Sequence, residues 1–164
     1  MIFVTVGNDF RSFHRLLKKV DEIAPLIPEE MIVQRGYSNY LLKNTKQFDF
    51  VSMKEAVEYI RKSRLVVSHA GIGTVILCRE YGIPLLIVPR RKIYGEHMND
   101  HQMEIARSLE ERKKEHIHVV FEVDQLQERM TKILEEEKHY TPEENRGKIN
   151  LIRTIQAFLK DVGS

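Results

Sequence analysis

The chain has 164 residues, 42% of them hydrophobic and 30% charged, with a formal net charge of +2. That length suits one domain with a real core and is too short for two ordinary ones, and the composition is that of a soluble globular protein. No apolar run approaches the roughly 20 residues that span a bilayer, and so small a charge gives no reason to expect nucleic acid.

Met1–Gly7 has neither the basic leader nor the small-residue cleavage site of a signal peptide, so a cytoplasmic protein is expected, opening on a buried strand over residues 2–6. Gly7-Asn8-Asp9 then supplies a turn and a cap for a helix with Phe10, Phe13, Leu16, Leu17 and Val20 on one face, which Pro25 and Pro28 end. Met31–Gln34 is a second strand, followed by the polar loop Arg35-Gly36-Tyr37-Ser38-Asn39. Phe48–Val51 reads as a short strand, and Met53–Ser63 as a helix with Ala56, Val57 and Ile60 inward.

Leu65-Val66-Val67 is the apolar run at the centre of the chain, and it breaks at Ser68-His69-Ala70-Gly71-Ile72-Gly73-Thr74, just ahead of a helical pattern. Such a strand, glycine turn and helix start expose free backbone N–H groups at the positive end of a helix dipole, where a diphosphate binds naturally. The lone cysteine, Cys78, lies on the apolar face of that helix; it can form no internal disulfide and suits a structural thiol. Leu85–Val88 is the next strand and leads into the cationic loop Pro89-Arg90-Arg91-Lys92. Parallel strands joined by a helix end on the same side, so both loops belong to one sheet edge. His97–Arg112 reads as a helix, His118–Phe121 as a last strand, and Asp124 as the cap of a helix through Met130, Ile133 and Leu134. A link rich in lysine and glutamate, with Pro142, leads to a terminal helix within 143–164. Its Ile149–Leu159 stretch carries more apolar residues than one stripe needs, so it packs on its own core or on a partner. Strands alternating with helices predict an α/β fold, a single Rossmann-like three-layer domain over 1–164 with a mainly parallel sheet.

Several residues have side chains or positions suited to chemistry. His69 can bond a phosphate or cap the helix behind it. The Gly71-Ile72-Gly73-Thr74 turn is neither a Walker loop nor the longer dinucleotide fingerprint, and the Thr74 hydroxyl can serve the helix, a phosphate oxygen, or both. His97 and His101, four apart, could face zinc from one helix, but no cysteine or third histidine stands at ligand spacing and the HExxH order is absent, so no metal is expected. Asp100, His101 and Gln102 instead gather groups that read hydroxyls by directed hydrogen bonds. The basic run Arg90-Arg91-Lys92 is open to a diphosphate, a partner or solvent.

Together these motifs resemble the glycosyltransferase family 28 C-terminal domain, the donor-binding half of GT-B glycosyltransferases. The carriers are His69-x-Gly71-x-x-Thr74, Gly82-Ile83-Pro84, Pro89 and His101-Gln102, joined by Ile2–Gly7, Gln34-x-Gly36 and Glu96-His97-x-x-Asp100-His101-Gln102. The whole pattern is similar to the small donor-binding subunits of two-component UDP-sugar transferases in dolichol-linked glycan and bacterial exopolysaccharide synthesis. The resemblance implies a fold equal to the C-terminal half of GT-B and inverting transfer of a hexosyl group from a UDP-sugar to a lipid-diphosphate-linked acceptor, without cofactor or metal. It also implies a membrane-attached acceptor-binding subunit that supplies the general base, recruits this chain to the inner membrane face and meets its terminal helix. By the same resemblance His69, Gly71, Ile72, Gly73 and Thr74 hold the diphosphate, with Gly7 and Asn8 facing the same phosphates. Arg35 and Gly36 border the base or ribose, and His101 and Gln102 meet the sugar hydroxyls. Two positions depart from the family. Leu77 stands where relatives often carry a ribose-binding glutamate, with Glu80 three residues on, and Asn8 stands where a small hydroxyl residue is common. The Leu77 departure keeps a second reading open, a non-catalytic UDP-sugar-binding or regulatory module.

Overall fold

The computed structural model describes residues 1–113 and 116–136. Six short strands, β1 (Ile2–Thr5), β2 (Met31–Gln34), β3 (Lys46–Phe48), β4 (Leu65–Ser68), β5 (Leu85–Ile87) and β6 (Ile117–Val119), form one sheet in the order β3-β2-β1-β4-β5-β6. Every pairing is parallel. Side chains alternate across a strand, so Ile2 and Val4 enter one core and Phe3 the other, and both faces of the sheet need a helical cover. Helices α1 (His14–Ile23) and α5 (Leu126–Glu136) cover the first face, through Leu16, Leu17, Val20, Met130 and Ile133. Helices α2 (Met53–Lys62), α3 (Ile72–Tyr81) and α4 (His101–Glu111) cover the second, through Ile60, Val75, Ile76, Ala106 and Leu109. Cys78 is buried in that layer, and burial pushes its thiol far up, as befits an inert core residue.

The register lines up the strand ends: Thr5 lies opposite both Gln34 and Ser68, and Ser68 opposite Ile87. After β1 the chain crosses to α1 on one face, whereas after β4 it crosses to α3 on the other. The two loops therefore part from each other between β1 and β4, and that divergence opens a crevice at the carboxyl edge.

Several element boundaries differ from the sequence expectation. Helix α1 starts at His14 with Phe13 at its N-cap and no capping side chain. Asp9 instead accepts the Arg11 N–H at 2.8 Å in a local turn, and Phe10 is exposed, because the loop ahead of the helix is drawn onto the carboxyl edge. The third strand is Lys46–Phe48 rather than 48–51, since Ser52 must be extended to cap α2 in a reciprocal capping box with Glu55. Helix α4 begins at His101, not His97: a 3-10 turn over Lys92–Tyr94 and Gly95 at φ +67° keep the chain out of helix before it. His97 therefore precedes α4, with its Nδ1 3.0 Å from Asn99 Oδ1, and does not share a helical face with His101. The last strand is Ile117–Val119. Asp124 lies inside a 3-10 turn over Val123–Gln125 just ahead of α5, its carboxylate 3.5 Å from Lys19 Nζ. The terminal helix expected within 143–164 lies outside the described residues.

Candidate functional site

The crevice between the β1 and β4 loops is a cleft of about 320 Å³ lined by Thr5, Gly7, Asn8, Gln34, His69, Gly71, Gly73, Thr74 and, on its other wall, by Val51, Met53, Ala56 and Leu77. One wall is rich in hydrogen-bond donors and the other is apolar. Two further hollows lie away from this edge's glycine turn, one beside Phe10, Arg15 and Tyr94 and one beside Met1 and Tyr59.

The donors come from how the two loops are held. Helix α3 has Gly71 at its N-cap with no capping side chain, and its first internal bond runs from Val75 N to Gly71 O. The N–H groups of Ile72, Gly73 and Thr74 thus have no intrahelical partner and point out of the positive end of the helix. Gly73 is open: a Cβ there would meet nothing within 4 Å. Gly71 is enclosed, because a Cβ there would stand 2.3 Å from His69 Cε1. Gly7 presses on the same ring from the β1 side, where a Cβ would lie 2.2 Å from His69 Nε2 and the backbone has φ +74°. The imidazole is held between two glycines that leave it just enough room.

His69 Nδ1 lies 3.1 Å from Gln102 Nε2, while no protein group among the described residues bonds Nε2. Burial and then the Arg90 charge press the ring toward its neutral form, with the Gln102 contact and Asp9 opposing and His97 adding, and its pKa falls to about 4. On the β1 side the Gly7 N–H donates to Thr5 Oγ1, Thr5 Oγ1 donates to Gln34 Oε1, and Gln34 Nε2 donates to Asn8 Oδ1 at 3.4 Å. That chain holds the carbonyl of Asn8 and leaves its Nδ2 to donate elsewhere. The site is thus an array of uncharged donors backed by a buried cation, Arg90, which suits an anion with several oxygens.

Six of the residues expected at the site, Gly7, Asn8, His69, Gly71, Gly73 and Thr74, line the cleft. Ile72 contributes its backbone and turns its side chain toward the core. Gly36 packs behind the loop, since a Cβ there would lie 2.8 Å from Gly7 O, and Arg35 pairs with Asp49 at 2.7 Å. His101 is exposed beside Glu104 Oε2 at 3.3 Å, and Gln102 is buried behind His69. Leu77 lines the cleft, whereas Glu80 is exposed and does not. Arg90, for which the sequence left a diphosphate, a partner or solvent open, meets none of these in the fold: it is wholly buried. Its Nη1 donates to Arg11 O and Glu96 O, its Nη2 donates to Val6 O at 2.6 Å, and its guanidinium lies 4.8 Å from the Phe13 ring centre. Arg91 pairs with Glu122, and Lys92 is exposed. Thr5 and Gln34 stand within the motifs that carry the resemblance but have no expected role in the site; the available signal is a polar residue closing an apolar strand at the carboxyl edge.

The model of the glycosyltransferase family 28 C-terminal domain matches residues 1–157 of the chain. The UDP-N-acetylglucosamine transferase subunit ALG13 of Homo sapiens is 34% identical over 122 residues, which cover 66% of this chain and 10% of that protein. Its counterpart in Cryptococcus neoformans is 39% identical over 77 residues, covering 46% of this chain and 35% of that protein. The chain thus spans between a tenth and about a third of the length of these relatives. Among solved structures, the spinosyn forosaminyltransferase SpnP superposes with a TM-score of 0.60 at 15% identity, covering 99% of this chain and 39% of that enzyme. The fold is that of one half of a GT-B glycosyltransferase. Among the described residues no helix is long and apolar enough to cross a membrane.

Proposed function

The chain belongs to the glycosyltransferase family 28 C-terminal domain, and on that premise we propose that it is the donor-binding subunit of a two-component transferase that moves a hexosyl group from a UDP-sugar to a lipid-diphosphate-linked acceptor. The observation that carries the reading is the convergence of the α3 N–H groups, the His69 ring and the Asn8 amide on one cleft whose far wall is apolar. The diphosphate lies on the donor wall, and the uracil ring packs against Val51, Met53 and Ala56. His101, exposed at the first turn of α4, reaches the hydroxyls of the sugar. Arg35 and Gly36 act from behind, keeping the β2 loop against Gly7 on the base side.

In the transfer an acceptor oxygen attacks the anomeric carbon from the face opposite the nucleotide. The bond from that carbon to the β-phosphate oxygen breaks, UDP leaves with the electron pair, and the configuration inverts. The charge growing on UDP is met by hydrogen bonds from the α3 N–H groups, His69 Nε2–H, Asn8 Nδ2 and the Thr74 hydroxyl, all in place beforehand, so little reorganisation is needed as the bond breaks. This reading calls on no metal. The proton of the acceptor hydroxyl passes to a general base on a separate, membrane-attached subunit, which brings the chain to the inner membrane face. The relatives are named as transferase subunits, which supports a partner subunit. A second reading, a UDP-sugar-binding module without catalysis, draws on Leu77, an apolar group in the cleft at the position where family members often hold the ribose.

Calorimetry with UDP and UDP-sugars, followed by transfer assays with and without a co-expressed acceptor-side subunit, tests the proposal. UDP should bind the chain alone, and transfer should need both subunits. Transfer by the chain alone would overturn the divided site, and binding without transfer in either case would leave the binding module.

A further inference from the structure

Gln102 does not line the cleft, yet it touches the ring at the cleft's centre, and its amide is spent at both ends. Its Oε1 accepts the backbone N–H of Arg90 at 3.0 Å. A backbone N–H can only donate, so the carbonyl end of the amide must face Arg90 and the NH2 end must face His69. That NH2 lies 3.1 Å from His69 Nδ1 and can likewise only donate, so Nδ1 must accept and the ring proton must sit on Nε2. The Arg90 backbone is itself anchored, because its guanidinium is bound to Val6 O, Arg11 O and Glu96 O. Nothing in this chain of contacts is free to turn over: reversing the amide would set its NH2 against the Arg90 N–H.

We propose that Gln102 is a positioning residue: held by the Arg90 backbone, it fixes His69 as the Nε2–H tautomer, so that an uncharged imidazole donates into the cleft between Gly7 and Gly71. The identity of the acceptor, a nucleotide diphosphate oxygen, rests on the donor-binding reading; the tautomer does not. Among the charged groups around the ring, Arg90 and His97 disfavour a second proton, as burial does, and Asp9 favours one. The Gln102 contact would favour one only if its oxygen faced the ring, and the Arg90 N–H holds that oxygen away. A neutral donor has a functional consequence. Its hydrogen bond to an anion is kept across the physiological pH range, whereas an imidazolium would lose its charge, and that part of its attraction for the anion, as the pH rose through its pKa.

The test uses the whole chain labelled with 15N-histidine. In wild-type protein without ligand, the His69 nitrogens should report a proton on Nε2 and a bare Nδ1 from pH 8 down to about 5.5, and UDP affinity by calorimetry should be flat over that range. Gln102→Glu keeps an acceptor for the Arg90 N–H but faces Nδ1 with a carboxylate oxygen. It should move the proton to Nδ1 and raise the ring's pKa by about one unit or more. UDP binding should then fall roughly tenfold at pH 8 and recover as the pH is lowered and the imidazolium forms. Gln102→Met, which removes the amide at similar size, should give a mixture of tautomers. A wild-type proton on Nδ1 overturns the proposal even if neither variant folds, and so does a Gln102→Glu protein with the wild-type tautomer and pH profile. If the tautomers behave as expected but UDP fails to bind wild-type protein, the positioning role stands and the nucleotide reading falls.

Discussion

His69 concentrates the site's physics in one side chain. The folded protein holds its ring near pKa 4, against 6.5 for an unperturbed histidine, so below pH 6.5 the unfolded chain takes up a proton that the folded chain refuses. Stability is therefore complete above pH 6.5, declines as the pH falls toward 4, and declines no further through this group below that. The loss between pH 7.5 and pH 5 should be about 2 kcal/mol, read from urea midpoints, and His69→Asn should flatten that part of the profile. The sequence suggested a phosphate ligand here from the apolar strand before His69 and the glycine turn after it. It could not show that Gly7, 62 positions earlier, forms the other side of the ring's slot, because that contact depends on β1 and β4 being neighbours.

At the scale of elements, the start of α3 separates fold from function. Gly71 is needed by the packing of His69, whereas Gly73 faces open space, so the two glycines should respond differently to substitution. Gly73→Val should keep stability within about 0.5 kcal/mol by chemical denaturation, since it adds a side chain where none collides. By calorimetry it should weaken UDP binding at least roughly tenfold, because the side chain would occupy the space above the exposed N–H groups. The segments of this βα unit were legible because apolar run, small-residue turn and helical period are local signals. Boundaries were less so. The Ser52-x-x-Glu55 spacing marks the start of α2 and explains why β3 ends early, but the start of α4 depends on a glycine-bearing 3-10 turn that no periodicity announces.

At the scale of the whole molecule, the carboxyl edge is drawn together by Arg90, which reaches across 84 positions to Val6 and holds the β1 loop against the loop after β5. Arg15 adds a two-pronged pair to Glu96, with both contacts at 2.9 Å. Arg90→Met would strand three carbonyls and slacken both walls of the cleft. It should cost about 3 kcal/mol in urea unfolding and weaken UDP binding along with it, whereas Lys92→Met, on the exposed part of the same run, should change neither. The fold is that of one half of a GT-B glycosyltransferase, and the proposed function assigns the other half to a partner. The alternation of strands and helices, the parallel sheet and the glycine turn between β4 and α3 were all determined by the sequence alone, since each follows from hydrophobic period and turn chemistry within a dozen residues. Only the tertiary structure decided that Arg90 is a buried tie rather than a surface charge, that Gln102 faces His69 rather than solvent, and that Val51 and Leu77 share a cleft. Those outcomes are set by which strands lie side by side, and a side chain's partners across a sheet leave no trace in its neighbours along the chain.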